Sequence, residues 1–163
     1  MKFAYTRRMA MAVGLVSLLS LSACGGGGGS SDSGTPTQDW ATVSGSTGVT
    51  VLKIADTTVG TGATAATGKT VTVNYTGYLY DVRQTNQKGT QFDTTTGKTS
   101  FSFVLGAGQV IPGFDQGVTG MQVGGSRTVT MPASLAYGAS GSGNGVIPAN
   151  AALIFDIQLV SVQ

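Results

Sequence analysis

From Gly48 onward, apolar and polar residues alternate with a period of two, the spacing of a strand with one face buried. Val49, Val51 and Ile54 open the pattern. Val71, Val73 and Tyr75 then alternate with Thr72, Asn74 and Thr76, and Phe101, Phe103 and Leu105 alternate with Ser102 and Val104. Residues 126–131 and 152–162 supply two further strands. Only residues 112–120 suit a helix. Pro112 fits a first helical position, while Gly113, Gly117 and Gly120 keep the helix short. The pattern predicts an α+β domain: an antiparallel sheet with one short helix lying on it.

The front of the chain follows other rules. Lys2, Arg7 and Arg8 precede an apolar run from Met9 to about Leu21, the layout of a secretion signal. That run falls short of the roughly 20 apolar residues a spanning helix needs. It ends in Leu21-Ser22-Ala23-Cys24, which resembles the bacterial lipobox, with the only cysteine of the chain at the position the motif modifies. The resemblance implies cleavage before Cys24, a diacylglyceryl group on its thiol and acylation, for example with palmitate, of the new amino terminus. The simpler alternative is a secretory peptide with an incidental cysteine. Gly25 in place of an Asp points to the outer membrane of a bacterial envelope. Gly25 to Gly29 and a Ser/Asp/Thr/Pro stretch follow. A flexible linker of ~20 residues spans roughly 25 Å. We expect residues 1–23 to be a signal peptide, 24–46 a Cys24-anchored tether, and 47–163 the folded domain. Trp40, at the end of the tether, is expected to pack loosely on that domain.

Composition removes several kinds of chemistry. The chain has no His and no Glu, which excludes a Ser-His-Asp triad and imidazole metal ligation and leaves a carboxylate pair little support. A single Cys permits no intrachain disulfide. Without the leader, six Lys/Arg stand against seven Asp, so nothing suggests a nucleic-acid partner. Ala63 to Thr70 matches a relaxed phosphate-loop pattern. Such a loop needs a helix starting at Lys69, and the β-branched run from Val71 follows instead. No cofactor or metal is implied.

Seven segments, in order, resemble the FKBP-type peptidyl-prolyl isomerase family. They are Val73 to Gly77, Phe92-Asp93, Phe101 to Gly106, Gln109 to Phe114, Gly120 to Gly124, Ala136 to Gly138, and Ile147-Pro148 before Leu153 to Asp156. The resemblance spans about residues 47–163 and implies an FKBP-like fold, a sheet wrapped on one short helix. It also implies catalysis of rotation about X–Pro bonds in proline-containing polypeptides, without a cofactor. Carried over by position, Tyr75, Asp93, Tyr137 and Phe155 take catalytic roles, and Phe92, Phe101, Val110, Ile111, Phe114 and Ile147 bind substrate. Phe103 is assigned to the core and Asp115 to the helix start. Macrolides such as tacrolimus and rapamycin are implied as ligands, although Phe114 stands where the family often has Trp. The hairpin tip from Asp81 to Gln91 is longer than in minimal members, and residues 139–146 lack the family's frequent His. We expect a monomer held at a lipid membrane through acylated Cys24.

Two other readings fit the same residues: a surface binding module or chaperone with little isomerase activity, and a structural envelope lipoprotein whose strands merely resemble the family. The lipid anchor has its own test. Cys24→Ser should leave an uncleaved or soluble precursor and abolish membrane fractionation. Unchanged partitioning of the variant into the detergent phase would contradict the anchor.

Overall fold

The computed structural model describes residues 39–142 and 144–163. The residues expected to form the signal peptide, Cys24 and the first part of the expected tether lie outside them. Six strands form one antiparallel sheet: β1 Lys53–Thr58, β2 Thr70–Tyr80, β3 Lys88–Thr94, β4 Phe101–Val104, β5 Ser126–Met131 and β6 Leu153–Val162. Their order is β1-β5-β6-β2-β3, with β4 also paired to β2. Among the described residues there are two α-helices, α1 Trp40–Val43 and α2 Pro112–Val118, and several short 3-10 turns.

The period-two reading holds for β2, β4, β5 and β6. Val71, Val73, Val129, Leu153, Phe155, Ile157 and Leu159 turn one way into a core that also takes Phe103, Leu105, Phe114, Val118 and Met131. α2 occupies most of the expected 112–120 span, and it lies close against β5 because its glycines allow it. A Cβ on Gly113 would come within 2.6 Å of Met131 Sδ, and one on Gly117 within 2.8 Å of Val129 Cγ2. A helix with ordinary side chains at both positions would be pushed off the sheet.

Three expectations are corrected. The alternation at Val49 and Val51 is not a strand: the first strand begins at Lys53, Val49 is buried ahead of it and Val51 is exposed. The hairpin tip does not run to Gln91: β3 already begins at Lys88, although Lys88-Gly89-Thr90-Gln91 has no apolar alternation. β3 forms by pairing with the long strand β2, from Thr76 opposite Thr94 to Tyr80 opposite Lys88. The third correction concerns residues 40–46, assigned to the tether, which are folded on the domain. Ala41, Ser44 and Ser46 are buried. Val49 joins Tyr80, Ala152 and Ile154 in a second cluster.

The long hairpin tip seats this N-terminal segment. Val82 N–H donates to the Ser44 carbonyl at 2.9 Å. Asp81, itself buried, accepts from Arg83 through Nε at 2.8 Å and a terminal nitrogen at 2.7 Å. The Arg83 guanidinium lies 5.9 Å from the Trp40 ring centroid, a cation–π contact. The tip thus clasps residues 40–49, and Trp40 is part of the fold.

A fragment starting at Pro36 should therefore be more stable than one starting at Thr50. The difference should be on the order of 2–4 kcal/mol, from loss of a buried valine and a half-buried indole. Urea unfolding of the two fragments checks this, and equal midpoints would contradict the clasp.

Candidate functional site

Nine of the ten side chains that the resemblance assigns to a pocket do line one cavity. Its volume is about 410 Å³, and its wall is Tyr75, Phe92, Asp93, Phe101, Gln109, Val110, Ile111, Phe114, Tyr137 and Phe155. They come from β2, β3, β4, the loop before α2, α2 itself, the turn after β5, and β6. The cavity is therefore a product of the whole fold and of no single segment.

Its floor is aromatic. Phe114 and Phe155 are nearly fully buried, with ring centroids 5.1 Å apart and planes at 81°. Tyr75 meets Phe114 at 5.5 Å and Phe155 at 5.9 Å, again edge to face. Such T-shaped contacts are the favoured geometry of aromatic pairs. Phe92 closes the far side, 5.5 Å from Phe155. Gly77 makes the room: a Cβ there would lie 2.6 Å from Phe92 Cζ and 2.8 Å from Phe155 Cε1. Phe101 and Tyr137 form an exposed rim, at 37% and 41% exposure. Phe103, assigned to the core, stays there and stacks beneath Phe101 at 5.6 Å.

Polar groups are few and fixed. The Tyr75 hydroxyl donates to Asp93 Oδ2 at 2.5 Å, and Asp93 Oδ1 accepts from Thr94 N–H at 2.8 Å. Burial first, then the hydrogen bond and charge of Asp93, push the Tyr75 phenol well above its ordinary range. Tyr75 is thus a protonated donor to Asp93 at any ordinary pH. Ile111 precedes Pro112, which favours an extended backbone; its φ of −59° and ψ of 143° agree. Its carbonyl accepts from Phe114 N–H at 3.0 Å and Asp115 N–H at 3.2 Å, which fixes the Ile111–Pro112 peptide plane. Among the described residues, the Ile111 N–H and the Tyr137 hydroxyl have no hydrogen-bond partner. Asp115 lies in the first turn of α2, as expected, and accepts from Gly106 N–H.

Ile147 departs from its assignment. It is buried in the core and is not on the cavity wall. Ile147 N–H donates to Ser142 Oγ at 2.8 Å, and Ser142 N–H donates back to the Ile147 carbonyl at 2.9 Å. These two bonds hold the Ile147 backbone, and its side chain belongs to the core. Gln109 is the lining residue that sequence reasoning passed over. It lay inside a quoted motif, and its position beside Val110 and Ile111 was the available signal.

A second groove, about 500 Å³, lines the other side of the sheet with Asn74, Thr76, Lys88, Thr128, Asp156 and Gln158 among others. Its polar groups satisfy one another: Asp156 accepts from Lys88 at 2.6 Å and from Thr128 at 2.7 Å. The aromatic cavity, apolar with uncommitted donors, is the better candidate site.

Comparison with known proteins agrees with this choice. The profile of the FKBP-type peptidyl-prolyl cis-trans isomerase family matches residues 62–160. A protein of Neisseria meningitidis serogroup B named FK506-binding protein is 44% identical over 112 residues, covering 68% of this chain and 95% of that one. FK506-binding protein 4 of Gibberella zeae is 47% identical over 120 residues, 72% of this chain but only 22% of that longer protein. Among solved structures, AtFKBP13 superposes with a TM-score of 0.59 at 34% identity, covering 69% of this chain and 93% of its own. FkpA from Escherichia coli gives 0.58 at 34% identity, covering 69% of this chain and 48% of its own. With family profile, relatives and fold in agreement over the residues that build the aromatic cavity, the chain belongs to the FKBP-type peptidyl-prolyl cis-trans isomerase family.

Proposed function

We propose that the chain isomerises X–Pro bonds of exported or envelope proteins while held at a bacterial membrane by lipid on Cys24, with the aromatic cavity as its active site. The observation that carries the reading of the site is a buried aromatic floor facing two uncommitted donors, the Ile111 N–H and the Tyr137 hydroxyl. The lipobox-like segment and the glycine-rich tether support the anchor, and the outer membrane is the location they favour.

The chemistry asks for no proton transfer and no nucleophile. An X–Pro bond resists rotation by about 18–20 kcal/mol because its nitrogen is conjugated with the carbonyl, and free exchange takes ~10–100 s. An apolar cavity removes water from the imide and so disfavours the polar planar form relative to the twisted one. The proline ring sits over Phe114, walled by Tyr75, Phe101 and Phe155. Ile111 N–H and the Tyr137 hydroxyl hold carbonyls of the twisted substrate, so binding is stronger in the transition state than in the ground state. Asp93 positions Tyr75 through their hydrogen bond, and Val110 and Phe92 complete the wall. Macrolides that present a proline-like ring occupy the same space. With Phe114 as the platform, their contact with the floor is smaller than a Trp would give.

Two substitutions separate the roles. Tyr137→Phe removes one hydroxyl from an exposed ring. It should lower kcat/KM several-fold while changing stability by no more than about 1 kcal/mol. Phe155→Ala opens the wall and empties a buried position, so it should cost roughly 3–5 kcal/mol of stability and damage catalysis as well. Proline-peptide isomerisation and thermal unfolding measure both. Undiminished activity in a folded Phe155→Ala protein would place the active site elsewhere. Treatment with EDTA should leave the wild-type rate unchanged, and loss restored by added metal would refute the mechanism.

A further inference from the structure

The outer side of β4 bears on a group that the mechanism above leaves unused. One side of β4 pairs with β2, and beyond it Leu105 N–H donates to the Lys69 carbonyl at 2.9 Å. Val104 N–H points to the other side, where no strand lies among the described residues, and an edge N–H of this kind needs an acceptor or water. Gln109 provides the acceptor: its Oε1 receives Val104 N–H at 2.9 Å.

That bond orients the whole carboxamide. An N–H donor can bond only the oxygen end, so the oxygen is committed to β4 and the two Nε2 hydrogens lie at the opposite end. Gln109 lines the cavity, and among the described residues its Nε2 has no acceptor. The turn that carries it is also held. Gly106 N–H donates to both carboxylate oxygens of Asp115, at 2.9 and 3.1 Å. Gly106 and Gly108 adopt φ of +80° and +67°, which only glycine takes without strain.

We propose that Gln109 Nε2 is a third substrate-holding donor, binding a backbone carbonyl outside the X–Pro unit that Ile111 N–H and the Tyr137 hydroxyl engage. The inference rests on the isomerase reading of the cavity. A polypeptide threading the cavity presents its carbonyls as its most regular acceptors, one per residue. A donor fixed at the wall therefore recognises the length of bound chain without selecting a side chain. Gln109 makes the enzyme favour proline within an extended polypeptide over proline in a minimal peptide, while leaving it tolerant of sequence.

Gln109→Glu tests this, because a carboxylate still accepts Val104 N–H and keeps the turn, but replaces the Nε2 donor with an oxygen that repels a carbonyl. The detergent-solubilised full chain is assayed with a short and a long proline peptide of matched sequence around the X–Pro bond. In Gln109→Glu the long-to-short ratio of kcat/KM should fall roughly three- to tenfold, the effect of one net hydrogen bond, chiefly through KM for the long peptide. A ratio equal to that of wild type would overturn the proposal, since a purely structural role would affect both peptides alike. A second measurement needs no variant. In long peptides whose flanking peptide groups are replaced one at a time by an alkene, which keeps the shape and removes the carbonyl, one position should lose a similar factor with the wild-type protein. If no position does, the proposal is wrong. Failure of the wild-type protein to isomerise either peptide would instead refute the isomerase reading itself, and this inference with it.

Discussion

Gly113 and Gly117 bring the backbone of α2 onto Met131 and Val129 of β5, and the rest of the site depends on that approach. Phe114 lies between the two glycines, so the helix depth sets the height of the floor. Raised by the thickness of one methyl group, Phe114 would lose its edge contacts with Tyr75 and Phe155 and fill the space the cavity needs. Overpacking of this kind typically costs about 1–3 kcal/mol, and here the misplacement of the floor would matter as much as the energy. The same glycines that weaken the helix as an isolated segment are what the tertiary structure requires of it.

A second constraint operates at Tyr75. Its ring contributes to the aromatic wall, and its hydroxyl, at the exposed edge of that wall, is oriented by a single partner. Asp93 is that partner, accepting the hydrogen bond from the adjacent strand. Asp93 in turn is steadied by the Thr94 N–H. Asp93 also lies 4.0 Å from Lys98 Nζ, while three groups at the cavity that can donate have no partner among the described residues: Ile111 N–H, the Tyr137 hydroxyl and Gln109 Nε2. Three unpaired donors on one wall are matched to carbonyls, which is the functional group an X–Pro bond presents on either side.

Most of the sheet was legible because its strands have one face buried, and alternation is the direct record of that condition. β2 and β6 show it most clearly, pairing along nearly their whole length. β3 was illegible for the complementary reason: its residues are largely exposed or half-buried, so no periodicity distinguishes it, and only the neighbouring strand decides its conformation. Val49 and Val51 mimic a strand because one is buried by the N-terminal cluster and the other by nothing. The folded N-terminal segment was masked by its composition, since Ala, Thr, Ser and Gly read as linker unless a partner such as the 81–87 tip is known. For the site, the family resemblance reached nine of ten lining residues. It missed at Ile147, where a local turn carries the side chain into the core, and it gave Gln109 no role, because that role depends on an edge N–H visible only in three dimensions.

The division of the cavity into a buried floor and an exposed rim has a consequence for the thermodynamics of encounter. Phe114 and Phe155 are already packed against their neighbours before anything arrives, so their rotamer entropy is spent during folding and not again at binding. Of the exposed rim, Phe101 is held by its stack on Phe103, which leaves little beyond Tyr137 to immobilise, at about 0.5–1.5 kcal/mol per side chain. The penalty for organising the site therefore falls on folding and is shared by every later turnover. A substrate that differs from its product only by rotation about one bond meets a floor that does not need to rearrange for either.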